Sequence, residues 1–125
     1  MITAEKQIVR RAMEEVFSNG RMEAIPELYA PGAHDSVRKL VEMLRGGFPD
    51  LSITIEHLIQ EEAKVACRWS ATGTHQGWFQ GVPPTGARAT WTGTGLYGVV
   101  DGRIVAVYSN WDLYGLLGQL RASMR

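Results

Sequence analysis

Residues 97–112, Tyr-Gly-Val-Val-Asp-Gly-Arg-Ile-Val-Ala-Val-Tyr-Ser-Asn-Trp-Asp, decide how this chain folds. Asp101-Gly102 lies between two apolar runs, and both central residues of a type I′ turn need a positive φ that Asp and Gly tolerate. The pair predicts a hairpin between strands over 87–99 and 103–111. The second strand ends in Trp111 and Asp112, just before a helix over 113–121 carrying Leu113, Leu116, Leu117 and Leu120. A carboxylate closing a mainly apolar strand needs either water or a chemical task. This strand end is the first place to look for chemistry.

Upstream of the hairpin the pattern changes from helical to alternating. Residues 4–17 place Ile8, Val9, Ala12, Met13, Val16 and Phe17 on one helical face, with Thr3 as N-cap and Asn19-Gly20 as the stop. A shorter helix over 21–29 admits Pro26 only in its first turns. A third, over 35–46, buries Val37, Leu40, Val41 and Leu44 and ends at Gly46-Gly47. After Pro49 the period is two: Leu51, Ile53 and Ile55 alternate with polar residues, and residues 65–75 alternate again. The stretch 76–86 is too rich in Gly and Pro to be helix or strand. Helices followed by an antiparallel meander form a single α+β domain spanning 1–125.

Composition narrows the functions. The chain has 125 residues, enough to withdraw roughly two thirds of its unfolded surface from water. Thirteen basic and thirteen acidic side chains cancel, so no electrostatic footprint for nucleic acid or anionic lipid exists. No run approaches a membrane span and the N-terminus lacks a signal-peptide core, which predicts a cytoplasmic protein. The single Cys67 excludes an internal disulfide. His34, His57 and His75 have no metal-ligand spacing, and no glycine motif opens a helix after a strand, so no metal or cofactor is expected.

The faces of strand 87–99 point to a pocket. Ala89, Trp91, Gly93, Gly95 and Tyr97 share one face; Thr90, Thr92, Thr94 and Leu96 share the other, which suits solvent. Two consecutive inward glycines predict a cavity or an unusually close helix. The neighbouring strand adds Trp69, Ala71 and Gly73, with His75 next in the alternation. A concave apolar surface with a few polar groups is the usual form of a small-molecule site. Trp69, Trp91 and Tyr97 are the expected apolar wall, or plain core. Asp112 is the candidate acid/base, or simply the N-cap of the closing helix. Asn110, Ser109 and His75 are its candidate polar partners.

Arg10-Arg11, Phe48-Pro49-Asp50, Gly73-Thr74-His75-Gln76-Gly77, Gly81-Val82-Pro83-Pro84-Thr85-Gly86, Asp101-Gly102-Arg103-Ile104 and Asn110-Trp111-Asp112 with Gln119-Leu120 resemble the SnoaL-like polyketide cyclases, or ester cyclases. These belong to the NTF2-like superfamily of cone-shaped α+β barrels. The resemblance implies a curved, mostly antiparallel sheet around the first helix and a deep apolar pocket. It implies a cofactor-free acid–base step, such as cyclisation or isomerisation of a hydrophobic, oxygenated, polyketide-type substrate. It also implies a homodimer or higher homo-oligomer. Two departures stand out. The acid/base aspartate of the aldol cyclases falls on Ser109, and their pocket histidine falls on Gly95. Between Tyr29 and Asp35 relatives usually run through a short strand and a loop, whereas this chain goes straight across. That predicts either a more open pocket or a stretch missing from the sequence, and core exposure favours the second. The alternatives are an epoxide-hydrolase-like enzyme of the same fold, which needs a second inward carboxylate, and a non-catalytic binding or dimerisation module.

Overall fold

The computed structural model describes residues 2–124. α1 (Ala4–Arg11) starts at Thr3, whose side chain accepts the Lys6 N–H. It continues as a π-helix over Ala12–Ser18, where the sequence predicted a uniform helix. The wider π turn keeps Met13 and Phe17 as well as Ala12 and Val16 buried. Gly20, at φ +69, then reverses the chain. The predicted helix 21–29 is a 3-10 turn (Met22–Ala24) leading into the single turn α2 (Ile25–Leu28), with Pro26 in its opening turn. α3 (His34–Gly47) follows after a 3-10 turn at Pro31–Ala33.

Four antiparallel strands succeed one another in sheet order: β1 (Ser52–Glu61), β2 (Lys64–Thr74), β3 (Arg88–Val100) and β4 (Arg103–Trp111). Together with the helices they form an α+β curved sheet that does not close into a barrel. On β2 and β3 the buried residues alternate as the sequence predicted, from Val65 to Gly73 and from Ala89 to Val99. Asp101 and Gly102 have φ +50 and +77, the predicted type I′ turn. The Gly- and Pro-rich stretch contains a second small hairpin that composition hid. Phe79 and Val82 exchange both backbone hydrogen bonds around Gln80-Gly81, at φ +49 and +78.

Polar clasps fix these elements. Arg45 donates to the carbonyls of Ser18 (2.6 Å) and Pro49 (2.9 Å), joining α3 to the end of the first helix. Asp50 accepts the Thr74 N–H (2.7 Å) and hydroxyl (2.8 Å), pinning the start of β1 to the end of β2. The loop is tied to the end of α3: Gln76 and Gly77 both donate their N–H groups to the Gly47 carbonyl. α4 (Leu113–Ala122) buries Leu116 and Leu120 against the sheet, each contributing about 1.5–3 kcal/mol. Beyond Trp111 the edge of β3 has no partner strand. There the Gln119 side chain bonds both the N–H (3.0 Å) and the carbonyl (2.7 Å) of Thr90, as a strand would.

The crossing from α2 to α3 is short. Tyr29 makes one parallel bridge to Ile104, Ala30 donates to the Ile104 carbonyl at 2.9 Å, and the chain turns directly into α3. Among the described residues no further strand pairs with the outer edge of β4.

Candidate functional site

The inner face of the sheet carries Trp69, Trp91 and Tyr97 where the alternation put them, all nearly inaccessible to solvent. The glycines do not face open space. A Cβ on Gly93 would stand 2.3 Å from the Trp69 ring and 2.8 Å from Trp111 Cβ, and one on Gly95 would stand 2.6 Å from the Tyr97 ring. Missing side chains leave room for the aromatic rings, so the expected void at the glycines is already occupied. The cavity, about 70 Å³, lies above those rings. Met13 and Phe17 of the π-helix, Leu44 of α3, Ile53 of β1, and Ser109 and Trp111 of β4 supply other walls. The sequence reading did not assign these helical and β1 residues to the pocket. Their apolar periodicity was the available signal.

β4 departs from a regular hairpin, and this determines which polar residues reach the cavity. Val99 pairs with Ile104, but Gly98 pairs with Ala106, leaving Val105 as an extra residue in a β-bulge. Side chains on a strand alternate, so one additional residue exchanges the faces of everything beyond it. Ser109 thus pairs with Gly95 and Trp111 with Gly93, both on the inner face. Asn110 pairs with Thr94 on the outer face, and Asp112 follows it there.

The placements expected for Asn110 and His75 are corrected, and of the two roles open to Asp112 the structure shows the helix cap. Asp112 is exposed and does not line the cavity; its carboxylate accepts the Gly115 N–H at 2.8 Å and caps α4. Asn110 is exposed beside Arg68 and Thr94 on the outer face. His75 is fully buried, but not on the cavity wall. Its Nδ1 lies 2.9 Å from the Thr85 hydroxyl and accepts the Thr85 N–H at 3.2 Å, which leaves the ring proton on Nε2. Nε2 is buried without a partner, while the ring packs 5.5 Å from that of Phe48. Phe48 in turn packs 4.9 Å from Trp91. His75 holds the loop over 75–87 against the core.

The predicted residues brought together at the cavity are Trp69, Trp91, Tyr97 and Ser109. Ser109 is exposed at the mouth. The Tyr97 hydroxyl donates to the Met13 thioether at 3.5 Å. Burial, and secondarily the neighbouring Cys67, pushes the phenol well above its ordinary value, so it remains an O–H donor. Burial also pushes the Cys67 thiol up, to about 11, which keeps it protonated and unreactive. Among the described residues that line the cavity there is no carboxylate, imidazole, ammonium or guanidinium group. Among the described residues no three of His, Cys, Asp and Glu gather closely enough to hold a metal ion. No helix there is long and apolar enough to cross a membrane.

This geometry can be set beside known proteins. The family model of the SnoaL-like polyketide cyclases matches residues 7–120. The chain belongs to the SnoaL-like polyketide cyclase family. No curated protein matches it. Among solved structures it is similar to a candidate polyketide cyclase from Acidithiobacillus ferrooxidans, at TM-score 0.88 and 26% identity over 98% of each chain. IdmH from Streptomyces antibioticus, a candidate polyketide cyclase, matches at TM-score 0.83 and 28% identity, over 94% of this chain and 98% of its own. AclR from Streptomyces galilaeus, a candidate hydroxylase, matches at TM-score 0.83 and 30% identity, over 97% of this chain and 83% of its own. The SnoaL-like fold thus carries more than one activity label, and the residues on this cavity's wall must decide its chemistry.

Proposed function

We propose that this SnoaL-like protein binds a neutral, hydrophobic, oxygen-bearing small molecule between the first helix and the inner face of the sheet. The carrying observation is the makeup of the cavity wall: aromatic and aliphatic side chains whose polar groups are the hydroxyls of Tyr97 and Ser109 and the indole N–H groups of Trp69, Trp91 and Trp111. An apolar enclosure with few oriented donors selects a ligand whose carbonyl or ether oxygen meets one of them. Tyr97 is the stronger candidate, because the Met13 sulfur is a weak acceptor that a carbonyl oxygen readily replaces.

As a cyclase the protein folds a flexible substrate against the tryptophans, bringing its reacting carbons together. The protonated Tyr97 hydroxyl donates to the substrate carbonyl and polarises it; no side chain of the wall is a base, so the proton lost from carbon passes to solvent at the mouth beside Ser109. Asp112 takes no part in this reading. At the two positions where the family resemblance implies an acid/base pair stand Ser109 and Gly95, directly opposite each other on β4 and β3. That juxtaposition supports a pocket whose family shape survives while its proton-transfer machinery has changed.

Titration with an aromatic ketone and with the matching hydrocarbon tests the proposal, read out by tryptophan fluorescence. Trp69, Trp91 and Trp111 report directly, since all three border the cavity. The ketone should bind about five- to tenfold more tightly, the worth of one net hydrogen bond. Tyr97→Phe should remove that preference and leave hydrocarbon binding unchanged. Equal affinities in the folded wild type would refute the assignment of Tyr97, and no response to either probe would refute the binding site itself.

A further inference from the structure

A second recess adjoins the aromatic cavity. It is a groove of about 470 Å³ between α3 and β4, walled by Ala30, Ala33, Val37 and Val105. Phe17, Leu40 and Val107 line both recesses, so the groove and the cavity adjoin at these three side chains. It exists because the chain passes from Tyr29 to α3 through one bridge and one 3-10 turn, leaving β4 uncovered beyond Ile104. Val105, Val107 and Leu40 are consequently 50%, 42% and 36% exposed, a contiguous apolar surface that soluble proteins usually cover.

We infer that the groove is the second half of the ligand site, and that the ligand is an elongated neutral molecule. Its oxygen-bearing head enters the aromatic cavity, and its apolar tail lies between α3 and β4. This inference rests on the ligand-binding reading above and adds the shape and charge of the ligand. Two observations support it. The inner cavity is far smaller than the roughly 300–1,000 Å³ of ordinary small-molecule sites, whereas the two recesses together fall within that range. Among the described residues no charged side chain lines either recess, although α3 carries Asp35, Arg38, Lys39 and Glu42 elsewhere on its surface. A carboxylate or ammonium at either end of the ligand would lose water and gain no charged partner.

The test uses a series of straight-chain methyl ketones of about six to fourteen carbons, with fatty acids of matched length, titrated against tryptophan fluorescence. Affinity for the ketones should rise about two- to fourfold per added methylene until the groove is filled. The matched fatty acids should bind at least about tenfold more weakly, from the uncompensated loss of carboxylate hydration. Ala33→Trp fills the groove away from the three shared residues, and Val105→Arg places a charge at its exposed rim. Both variants should bind short ketones as the wild type does and lose the gain with length. Should Ala33→Trp melt below the assay temperature, Val105→Arg at its exposed position carries the comparison.

Binding that is flat with chain length, or a length gain that survives both variants, would overturn the groove assignment and leave the cavity standing. No binding by any ketone would overturn the underlying reading as well. A wild-type dimer that Val105→Arg converts to monomer, with stronger ketone binding in the monomer, would make the groove an interface between copies and also overturn the inference.

Discussion

Asp112 provides the sharpest test of how this site is built, because its structural and chemical roles respond to different substitutions. The carboxylate caps α4 through the Gly115 N–H at 2.8 Å. Asp112→Ala removes that acceptor, and losing an N-cap costs about 1 kcal/mol, with a range of about 0.5–2. A domain of 125 residues has a melting entropy of about 0.26 kcal/mol/K. The expected fall in Tm is therefore about 4 °C, within about 2–8 °C. Asp112→Asn keeps an equally good capping oxygen and loses only the attraction between a negative charge and the helix N-terminus. At an exposed position that attraction is worth about 0.3 kcal/mol, or about 1 °C. Thermal melts followed by circular dichroism give the stabilities, and ketone titrations on the same samples give the affinities. Both variants should bind the probe with wild-type affinity at temperatures well below their Tm. If Asp112→Asn keeps its Tm yet loses tenfold or more in probe affinity or turnover, the carboxylate reaches the ligand and the outward placement is refuted.

Other perturbations report on the scaffold. Gly77→Ala would place a methyl group 2.0 Å from the Gly46 carbonyl oxygen, so one backbone must move. The expected cost is about 1–3 kcal/mol, measurable by urea unfolding, and an unchanged midpoint would contradict the packing described. His75→Ala should cost about 2–4 kcal/mol through lost bonds to Thr85 and an unfilled space, while probe affinity stays unchanged in the folded fraction. Asp50 bears on acid stability. Hydrogen bonds from the backbone and side chain of Thr74 hold its carboxyl below the ordinary value, so its stabilisation is present above about pH 4 and fades as pH falls through the lower folded value. Asp50→Asn should therefore show a smaller drop in Tm than the wild type between about pH 5 and pH 3.

The sequence was most legible where chemistry is local. Asp101-Gly102 specified its own turn, and the strict alternation of Ala89, Trp91, Gly93, Gly95 and Tyr97 marked the inner face of β3. Thr3, Gly20 and Gly47 marked helix ends for equally local reasons. The polar side of the site was less legible, because its orientation depends on register. A regular two-residue hairpin through Asp101-Gly102 would pair Asn110 with Gly93 and turn Asp112 inward; the extra residue at Val105 reverses both. Gly98 lies where the register shifts, but with Gly93 and Gly95 in the same strand it did not single out that position. The glycines at 93 and 95 misled differently. They made room as expected, but for rings from Trp69 and Tyr97 rather than for a ligand. Whether a missing side chain is filled by a neighbour is a tertiary question that alternation alone does not answer.

The single supernumerary residue in β4 also bears on how such sites diversify. Gaining or losing one codon at Val105 would interchange the wetted and enclosed sides of the strand from Ala106 to Trp111 in a single mutational event. Ser109 and Trp111 would leave the enclosure as Asn110 entered it. Column-by-column transfer of a catalytic role along this strand therefore holds only between relatives that share the insertion, because equal spacing from the Asp-Gly turn no longer guarantees equal orientation.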